Sequence, residues 1–330
     1  MIVTTTAQLI AAVKGAVAGA VIALAPGQYT LDLYKSATPV TITSAVPATP
    51  AVFTEINIQA SSGITLTGVV LDASTTPIGP WGGEATIPFQ VGAGSSNITF
   101  DNLKVHGDPA WTWRNARSGM MVRQCSICTV RNVEFSGLYN ALNYLDSPGL
   151  TISGVTCHDN ADDCIRGGGS SNIQIINTHC WSNHPDPLDP DHPDCVQMWM
   201  ANETVATHDV LIAATRYERG TGGATQGVFV RDETGHLPYV NLTVRDSVIQ
   251  GAQYNAVSVN GATAPAIYNN RICQIGDVQA WLIVRATTGA RLANNTAPRF
   301  VFGSVGADAA TGTTEEHDVI NPAPCPAACF

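Results

Sequence analysis

Two acidic segments near the middle of the chain hold the residues best suited to chemistry. The first contains the neighbouring aspartates Asp162 and Asp163, and the second begins at Asp194 and ends at Trp199. Carboxyl groups held close together repel each other as anions, so the pKa of one rises and an acid can coexist with a base. Cleavage of a glycosidic bond requires such a pair.

Composition limits what the chain can bind. The protein has 330 residues, a formal net charge of −10 and only three lysines, Lys14, Lys35 and Lys104. Because nucleic acids and anionic membranes attract basic surfaces, neither is an expected partner. No segment reaches the run of about 18 apolar residues that a membrane-spanning helix needs. The sequence does not fix a location, but an extracellular, periplasmic or virion-associated protein fits it better than a cytoplasmic one.

A repeated unit organises most of the chain. In each copy, a turn rich in serine, asparagine and glycine is followed by an alternating apolar strand. Copies begin at Ser61, Ser95, Cys125, Ser147, Ser170, Thr207 and Tyr239. Their apolar positions recur with a minimal period of about 22 to 25 residues, with insertions, and the last alignment sets Ile267 beside Leu242. Repeats of this size predict a solenoid.

Strand chemistry selects one kind of solenoid. Each unit continues into a second short apolar run, and the sequence lacks leucine-rich helical segments and alanine-rich helix pairs. The pattern predicts an all-β fold, a right-handed parallel β-helix over residues 55–305. A short capping helix with the first strands occupies residues 1–54, and a tail occupies residues 306–330. One inward column of this β-helix is predicted to contain Ile165, Val196, Val228 and Val257.

The same register places a polar surface on the outside of one sheet. Outward positions alternate with buried ones along each strand, and the aspartates precede the strands at the turns. The candidate catalytic residues are Asp162, Asp163, Asp194 and His192. The candidate substrate-binding residues are Arg166, Gln197, Trp199, Arg231, Arg123 and Asp191. In this arrangement the indole stacks on a sugar ring, and the arginines bind hydroxyls or a carboxylate.

A proline-rich connection leads into the second acidic segment. It spans residues 182–194 and is stiffened by its prolines, so it carries His192 to the rim of the polar surface. Calcium prefers carboxylate oxygens, which makes Asp186, Asp189 and Asp191 candidate ligands, although their spacing is not that of an EF-hand. No other cofactor is predicted.

The cysteine count excludes a complete disulfide framework. Nine is an odd number, so at least one cysteine has no partner within the chain. Cys125 and Cys128 have the spacing of half a zinc site, but no second pair lies at ligand spacing. We therefore expect most of the cysteines to be small core residues, with Cys157 and Cys180 stacked in one inward column.

The first acidic segment resembles a known motif. Residues 160–165, Asn-Ala-Asp-Asp-Cys-Ile, followed by the strand after Ser170 and by a cysteine, look like the acidic motif of polygalacturonase-type glycoside hydrolases. The resemblance implies catalytic aspartates on one outer face of a β-helix and gives Asp163 the role of acid. The Gly-His-Gly turn of that family is missing, with residues 191–194 near its expected place. Residues 230–232 replace its Arg-x-Lys motif.

A second resemblance points to different chemistry. Residues 189–192, Asp-Pro-Asp-His, are similar to the Asp-Pro-His-Asp-type motif of alginate epimerases, and the coils with their capping helix look like β-helix polysaccharide lyases. Those enzymes abstract the proton alpha to a uronate carboxyl, so they need a base beside a group that neutralises the carboxylate. Arg166, Arg231 and His192 are candidates for these roles, and no lysine lies on the face.

Three functions follow from these residues. The first is hydrolysis of an internal glycosidic bond in a polysaccharide, with Asp163 as general acid and Asp194 or Asp162 as base or nucleophile, because aspartates outnumber bases on the face. The second is that of a polysaccharide lyase or uronan C5-epimerase. The third is a non-catalytic glycan-binding or phage-tail-like fibre, in which the acids need not converge. The sequence leaves the oligomeric state open.

Overall fold

The computed structural model describes residues 2–76, 87–108, 117–186, 192–201, 203–276 and 279–323. The chain forms two compact units, Met1–Ala161 and Asp162–Phe330. Each unit is built almost entirely from short parallel strands, as the repeat period predicts.

A short helix lies near the start of the first unit. Helix α1, Thr6–Lys14, begins after Thr5, whose side chain accepts a hydrogen bond from the backbone N–H of Gln8. The helix buries Leu9 and Val13 and contacts the first strands of the unit. It forms where the sequence predicts it, because a threonine caps its start and an apolar stripe covers one face. Among the described residues, no helix is both long and apolar enough to cross a membrane.

The strands of the first unit pair in parallel ladders. They are β1 (Ile2–Val3), β2 (Ala20–Leu24), β3 (Gln28–Tyr34), β4 (Val40–Ser44), β5 (Val52–Gln59), β6 (Ile64–Thr67), β7 (Val70–Asp72), β8 (Phe89–Val91), β9 (Ser95–Ser96), β10 (Thr99–His106), β11 (Met120–Arg123), β12 (Cys125–Ser126), β13 (Thr129–Ser136), β14 (Leu142–Leu145), β15 (Thr151–Ser153) and β16 (Thr156–His158). One ladder runs β3, β5, β8, β11, β14 and another runs β1, β2, β4, β6, β10, β13, β15. The long strands β5, β10 and β13 bend into a third ladder with β7 and β16.

The second unit repeats this plan more regularly. Its strands are β17 (Ile165–Gly168), β18 (Ile173–Ile176), β19 (His179–Trp181), β20 (Asp194–Trp199), β21 (His208–Ala213), β22 (Arg216–Glu218), β23 (Gln226–Arg231), β24 (Tyr239–Arg245), β25 (Val248–Gln250), β26 (Asn255–Thr263), β27 (Ala266–Tyr268), β28 (Arg271–Cys273), β29 (Trp281–Thr288), β30 (Arg291–Ala293), β31 (Thr296–Ala297), β32 (Phe300–Phe302), β33 (Thr314–Glu316) and β34 (Val319–Ile320). A 3-10 turn, Gly306–Asp308, lies between β32 and β33.

These strands form three parallel sheets, which makes the unit a parallel β-helix. Sheet A runs β17, β20, β23, β26, β29, β32, and sheet B runs β18, β21, β24, β27, β30, β33. Sheet C runs β19, β22, β25, β28, β31, β34. Parallel pairing therefore continues to Ile320, beyond residue 305, where the sequence prediction begins the tail.

Sheet A has the predicted register. Ile165 pairs with Val196, Val196 with Val228 and Val228 with Val257, and all four side chains are fully buried. This prediction is confirmed. It succeeds because a slip of one residue would turn the apolar side chains of a strand away from the core. The alignment of Ile267 with Leu242 in sheet B is wrong. Ile267 pairs with Val244, which lies two residues after Leu242. A shift of two residues keeps a side chain on the same side of the sheet, so Ile267 still faces the core.

The turn of the repeated unit explains its choice of residues. The third residue of each copy has a left-handed backbone, with φ of 73° at Gly63, 52° at Asn97 and 57° at Asn172. Glycine and asparagine tolerate this conformation, which places a Cβ too close to the backbone in most other residues. Two copies depart from the rule: Asp209 adopts φ of 58°, which its short polar side chain tolerates, and the β-branched Ile127 adopts φ of 57°.

A ladder of buried polar residues connects successive coils of the second unit. The N–H of Thr215 donates to Ser247 Oγ at 3.2 Å, and the N–H of Ser247 donates to Asn270 Oδ1 at 3.1 Å. The N–H of Asn270 donates to Asn295 Oδ1 at 3.1 Å, and the N–H of Asn295 donates to Asp318 Oδ1 at 2.7 Å. Each polar side chain thus satisfies the backbone N–H of the preceding coil, which burial would otherwise leave unpaired.

The seven cysteines among the described residues are oxidised. Disulfides join Cys125 to Cys128 and Cys180 to Cys195, with Cα atoms 6.0 and 5.7 Å apart, a separation that a disulfide spans readily. Three further cysteines are disulfide-bonded, namely Cys157, Cys164 and Cys273.

The expectation of buried core cysteines is confirmed for Cys157 and Cys180. Both are fully buried, and both are half-cystines. Cys125 and Cys128, whose spacing is that of half a zinc site, form a disulfide with each other. Period and alternation locate a buried cysteine but do not reveal which sulfur lies beside it.

We predict that replacing Ile127 by asparagine stabilises the protein. The Ile127 side chain is 69% exposed, so little packing is lost, whereas the left-handed backbone is easier for asparagine by about 1 kcal/mol. The urea-unfolding midpoint of Ile127→Asn should rise by a corresponding amount. Ile127→Val, which keeps the branched Cβ, is the control and should not gain stability. A midpoint for Ile127→Asn at or below that of the wild type would contradict the assignment.

Candidate functional site

The two acidic segments are neighbours in the second unit. Strand β17 begins two residues after Asp163, and Asp194 is the first residue of its partner β20. The backbone N–H of Asp194 donates to Asp163 Oδ1 at 2.7 Å, and the N–H of Cys164 donates to the carbonyl oxygen of Asp194 at 2.9 Å. These reciprocal bonds fix the two turns against each other.

The carboxyl groups lie beneath the surface, around one cation. Asp162, Asp163 and Asp194 are 2%, 1% and 0% exposed. Arg166 Nη1 lies 3.8 Å from Asp162 Oδ2, and Arg166 Nε lies 3.6 Å from Asp163 Oδ2. A buried cation is tolerated only when anions surround it, so this guanidinium and its two acids act as one unit.

An indole covers the guanidinium. Arg166 Cζ lies 4.3 Å from the centre of the Trp199 ring, a cation–π contact. Gly168 is the strand partner of Trp199, and a Cβ at that position would lie 2.1 Å from the Trp199 carbonyl oxygen and 2.6 Å from its indole Cδ1. Glycine therefore makes room for the tryptophan. Arg166 stacks on this ring, although sequence analysis assigns the ring only to sugar stacking.

A histidine–aspartate pair adjoins this cluster. His192 Nδ1 lies 3.1 Å from Asp194 Oδ2, and the imidazole edge packs on Phe229 with ring centres 5.4 Å apart. The histidine side chain is 43% exposed, whereas that of Asp194 is fully buried. Because Nδ1 is taken, Nε2 is the ring nitrogen that a ligand can reach, and it has no hydrogen-bond partner among the described residues.

The pKa values of both members of this pair are shifted upward. Burial raises the pKa of Asp194 to about 6, and its Oδ1 has no hydrogen-bond partner within the described part of the chain. The hydrogen bond to Asp194 raises the pKa of His192 above its ordinary value, against the smaller opposing effect of burial. The carboxyl group therefore favours the protonated imidazole.

The remaining predicted residues are distributed as follows. Gln197 pairs with Arg166 and is partly buried, with its Oε1 lacking a hydrogen-bond partner among the described residues. Arg231 pairs with Trp199, is exposed, and forms no ion pair with any described residue. Arg123 lies exposed at the end of β11 in the first unit. Asp191 lies outside the described residues.

The calcium prediction cannot be followed onto the structure. Of its three aspartates, Asp189 and Asp191 lie outside the described residues, and Asp186 is partly exposed. Within the described ranges, no group of three or more histidine, cysteine or acidic residues is arranged to hold a metal ion. Calcium binding on this loop stays a prediction.

Sequence reasoning overlooked two supports of the site. Phe229 packs on His192, and its aromatic ring in the same outward row as Arg166 and Gln197 was the available signal. The Cys180–Cys195 disulfide ties sheet C to the residue after Asp194, and only the adjacency of Cys195 to the acid hinted at it.

Comparison with known proteins identifies the fold family. Residues 91–272 match the family described as the right handed beta helix region. The chain belongs to this family. No curated protein sequence matches this β-helix protein.

Solved structures resemble it at low sequence identity. The A-module of the mannuronan C-5 epimerase AlgE6 from Azotobacter vinelandii is 15% identical, with 97% of this chain and 94% of that one covered and a TM-score of 0.66. ORF18 of Geobacillus virus E2 is 8% identical over 95% and 56%, with a TM-score of 0.55. The GH136 lacto-N-biosidase from Eubacterium ramulus is 10% identical over 95% and 64%, with a TM-score of 0.54. At such identities these likenesses show the fold alone.

We predict that Asp194→Asn lowers the pKa of His192. The amide keeps the size of the side chain but removes the negative charge that favours the imidazolium. Titration of the imidazole signals by NMR on histidine-labelled protein measures the shift. Asp209→Asn, which changes the exposed partner of His208, is the control and should leave the His192 signal in place. An unchanged His192 titration in Asp194→Asn would show that the pair does not form.

Proposed function

We propose that this β-helix protein is an enzyme that modifies a uronate-containing polysaccharide by proton transfer, with His192 as the group that takes the proton. The observation that best supports this is the pairing of a half-exposed imidazole with a fully buried carboxylate, 3.1 Å apart, beside a tryptophan and two arginines. A general base needs one accessible atom and a partner that stabilises its charged form. Nε2 and Asp194 meet those two needs.

The burial of the acids favours this chemistry over hydrolysis. A hydrolase brings one carboxyl to the glycosidic oxygen and another to a water or to the anomeric carbon. Here Asp163 accepts the Asp194 N–H on one oxygen and lies near Arg166 with the other, and it is 1% exposed. These contacts are typical of a carboxylate with a structural role. The imidazole of His192 is therefore the titratable group that a substrate can reach.

The reaction follows from these positions. His192 Nε2 accepts the proton on C5 of a uronate, and Asp194 stabilises the imidazolium that forms. In a lyase, the C5 electron pair forms a C4–C5 double bond, the C4–O4 bond breaks, and the departing O4 takes up the proton held by the imidazolium, directly or through water. In an epimerase, water donates a proton to C5 from the opposite side, and the imidazolium returns its proton to the hydroxide that remains. Arg231, exposed next to Trp199 in the strand register, is suited to bind the substrate carboxylate.

Hydrolysis is the second candidate function. The raised pKa of Asp194, about 6, keeps a fraction of this acid protonated at neutral pH, as a general acid must be. This route requires a substrate oxygen to reach a side chain that is 0% exposed. A binding fibre without catalysis is less well supported, because three acids, a histidine and a tryptophan converge in one place.

The disulfides support a location for this activity. Disulfides form and persist in oxidising compartments. We therefore place the protein outside the cytoplasm, in an environment where extracellular polysaccharides occur.

We expect His192→Asn to lower kcat by about 100-fold or more on a uronan such as alginate or polygalacturonate, because the accepting nitrogen is lost. His208→Asn, an exposed histidine on sheet B, is the matched control and should keep full activity. Since the base works unprotonated and its pKa is raised, the rate should fall as pH drops below that pKa. Asp194→Asn lowers the pKa of His192, so the residual activity of this variant should fall at a lower pH than that of the wild type. Full activity of His192→Asn would remove the histidine from the mechanism.

The products separate the candidate reactions. With the uronan substrates, a lyase yields new reducing ends together with the ultraviolet absorbance of an unsaturated uronate, and we expect both. An epimerase changes the NMR signals of the sugars without either. Reducing ends without absorbance would identify the hydrolase instead and would return the acid role to Asp163 or Asp194.

A further inference from the structure

Three residues far along the chain from the His192 site form an exposed aromatic and cationic array. The rings of Tyr254 and Trp281 have centres 6.0 Å apart at an interplanar angle of 49°. Arg299 Cζ lies 4.7 Å from the centre of the Trp281 ring. Tyr254 is 52% exposed, Trp281 is partly exposed and Arg299 is exposed. We refer to these three residues as the aromatic array.

The array lies at the same edge of sheet A as the His192–Asp194 pair. Asp194 is the first residue of β20 and Trp281 is the first residue of β29. The strands β20, β23, β26 and β29 are successive parallel neighbours. Three strand spacings separate the two positions, about 14 Å along the sheet. That distance lies within the reach of a short oligosaccharide.

The chemistry of the array suits an acidic sugar. Tyrosine and tryptophan offer apolar faces for the C–H groups of a sugar ring together with polar tips for its hydroxyls. Arg299 forms no ion pair with any described residue, so its guanidinium can donate hydrogen bonds to the carboxylate of a ligand. About half of Tyr254 remains in water, so its ring has a face that a ligand can cover.

We propose that Tyr254, Trp281 and Arg299 form a distal subsite for one uronate unit of a polysaccharide whose reacting unit lies at His192. The proposal rests on the proposed function, because it assumes the same uronan substrate. The chain then lies along the edge of sheet A, and binding at the distal subsite adds affinity for long substrates without touching the reacting atoms.

Substrate length provides the test. Trp281→Ala and Arg299→Ala are compared with the wild type on alginate or polygalacturonate and on oligosaccharides of increasing length prepared from them. We expect KM for the polymer to rise about tenfold with kcat unchanged, and KM for the shortest oligosaccharide that reacts to stay the same. Trp281→Tyr should recover most of the affinity. Tyr268→Ala, a partly exposed tyrosine on sheet B, is the control and should change neither value.

An equal rise in KM for short and long substrates, or no rise for the polymer, overturns the distal subsite. Affinity electrophoresis in gels containing each polymer separates this failure from that of the proposed function, because it needs no catalysis. If His192→Asn is retarded as strongly as the wild type and Trp281→Ala is retarded less, the subsite is supported. This result stands even if the histidine proves dispensable for the reaction. If neither polymer retards the wild-type protein, both proposals fall.

Discussion

One hydrogen bond, from the backbone N–H of Asp194 to the carboxylate of Asp163, joins the two acidic turns on which the candidate site depends. It lies at the edge of sheet A where β17 and β20 begin. In the register of these strands, Arg166 lies beside Gln197 and Gly168 beside Trp199. The imidazole of His192 then meets an acid that is already held in place. The other polar contacts of the site follow from this alignment.

The acids of the site belong to two charged groups. Asp162 and Asp163 surround Arg166, whereas Asp194 pairs with His192. Two buried anions around one cation are costly to bring together, but once formed they hold a fixed charge pattern without solvent rearrangement. Asp194, in contrast, contacts its histidine, and burial raises its pKa to about 6. One carboxyl group thus lies against an arginine, whereas its neighbour lies against an imidazole. Two acids of the same chemical type acquire different tasks through burial and partners.

Much of the fold was predictable from the sequence. Alternation with period two dictates which side of a strand is buried, so the column through Ile165, Val196 and Val228 follows directly. The N-terminal helix follows from its threonine cap. The copy ending at Ile267 was misaligned by two residues, because alternation cannot distinguish a register from one shifted by two.

The site was harder to predict, because contacts across coils depend on how the turns fold. The sequence groups Asp163, Asp194 and Arg166 on one surface, but it does not reveal that the acids lie beneath that surface. Burial of a polar group depends on what packs against it, here Trp199 on Arg166 and His192 on Asp194. The aromatic array escaped notice for a related reason. Its three members come from three successive coils and share no sequence motif.

The Cys180–Cys195 disulfide makes the candidate site sensitive to redox conditions. Cys195 directly follows the acid of the histidine–aspartate pair, so the cross-link to sheet C restrains the backbone that carries this carboxylate. A reductant would remove that restraint while the pairing of β17 with β20 remained. The oxidation state of two buried sulfurs would then set how firmly the carboxylate is held against the imidazole.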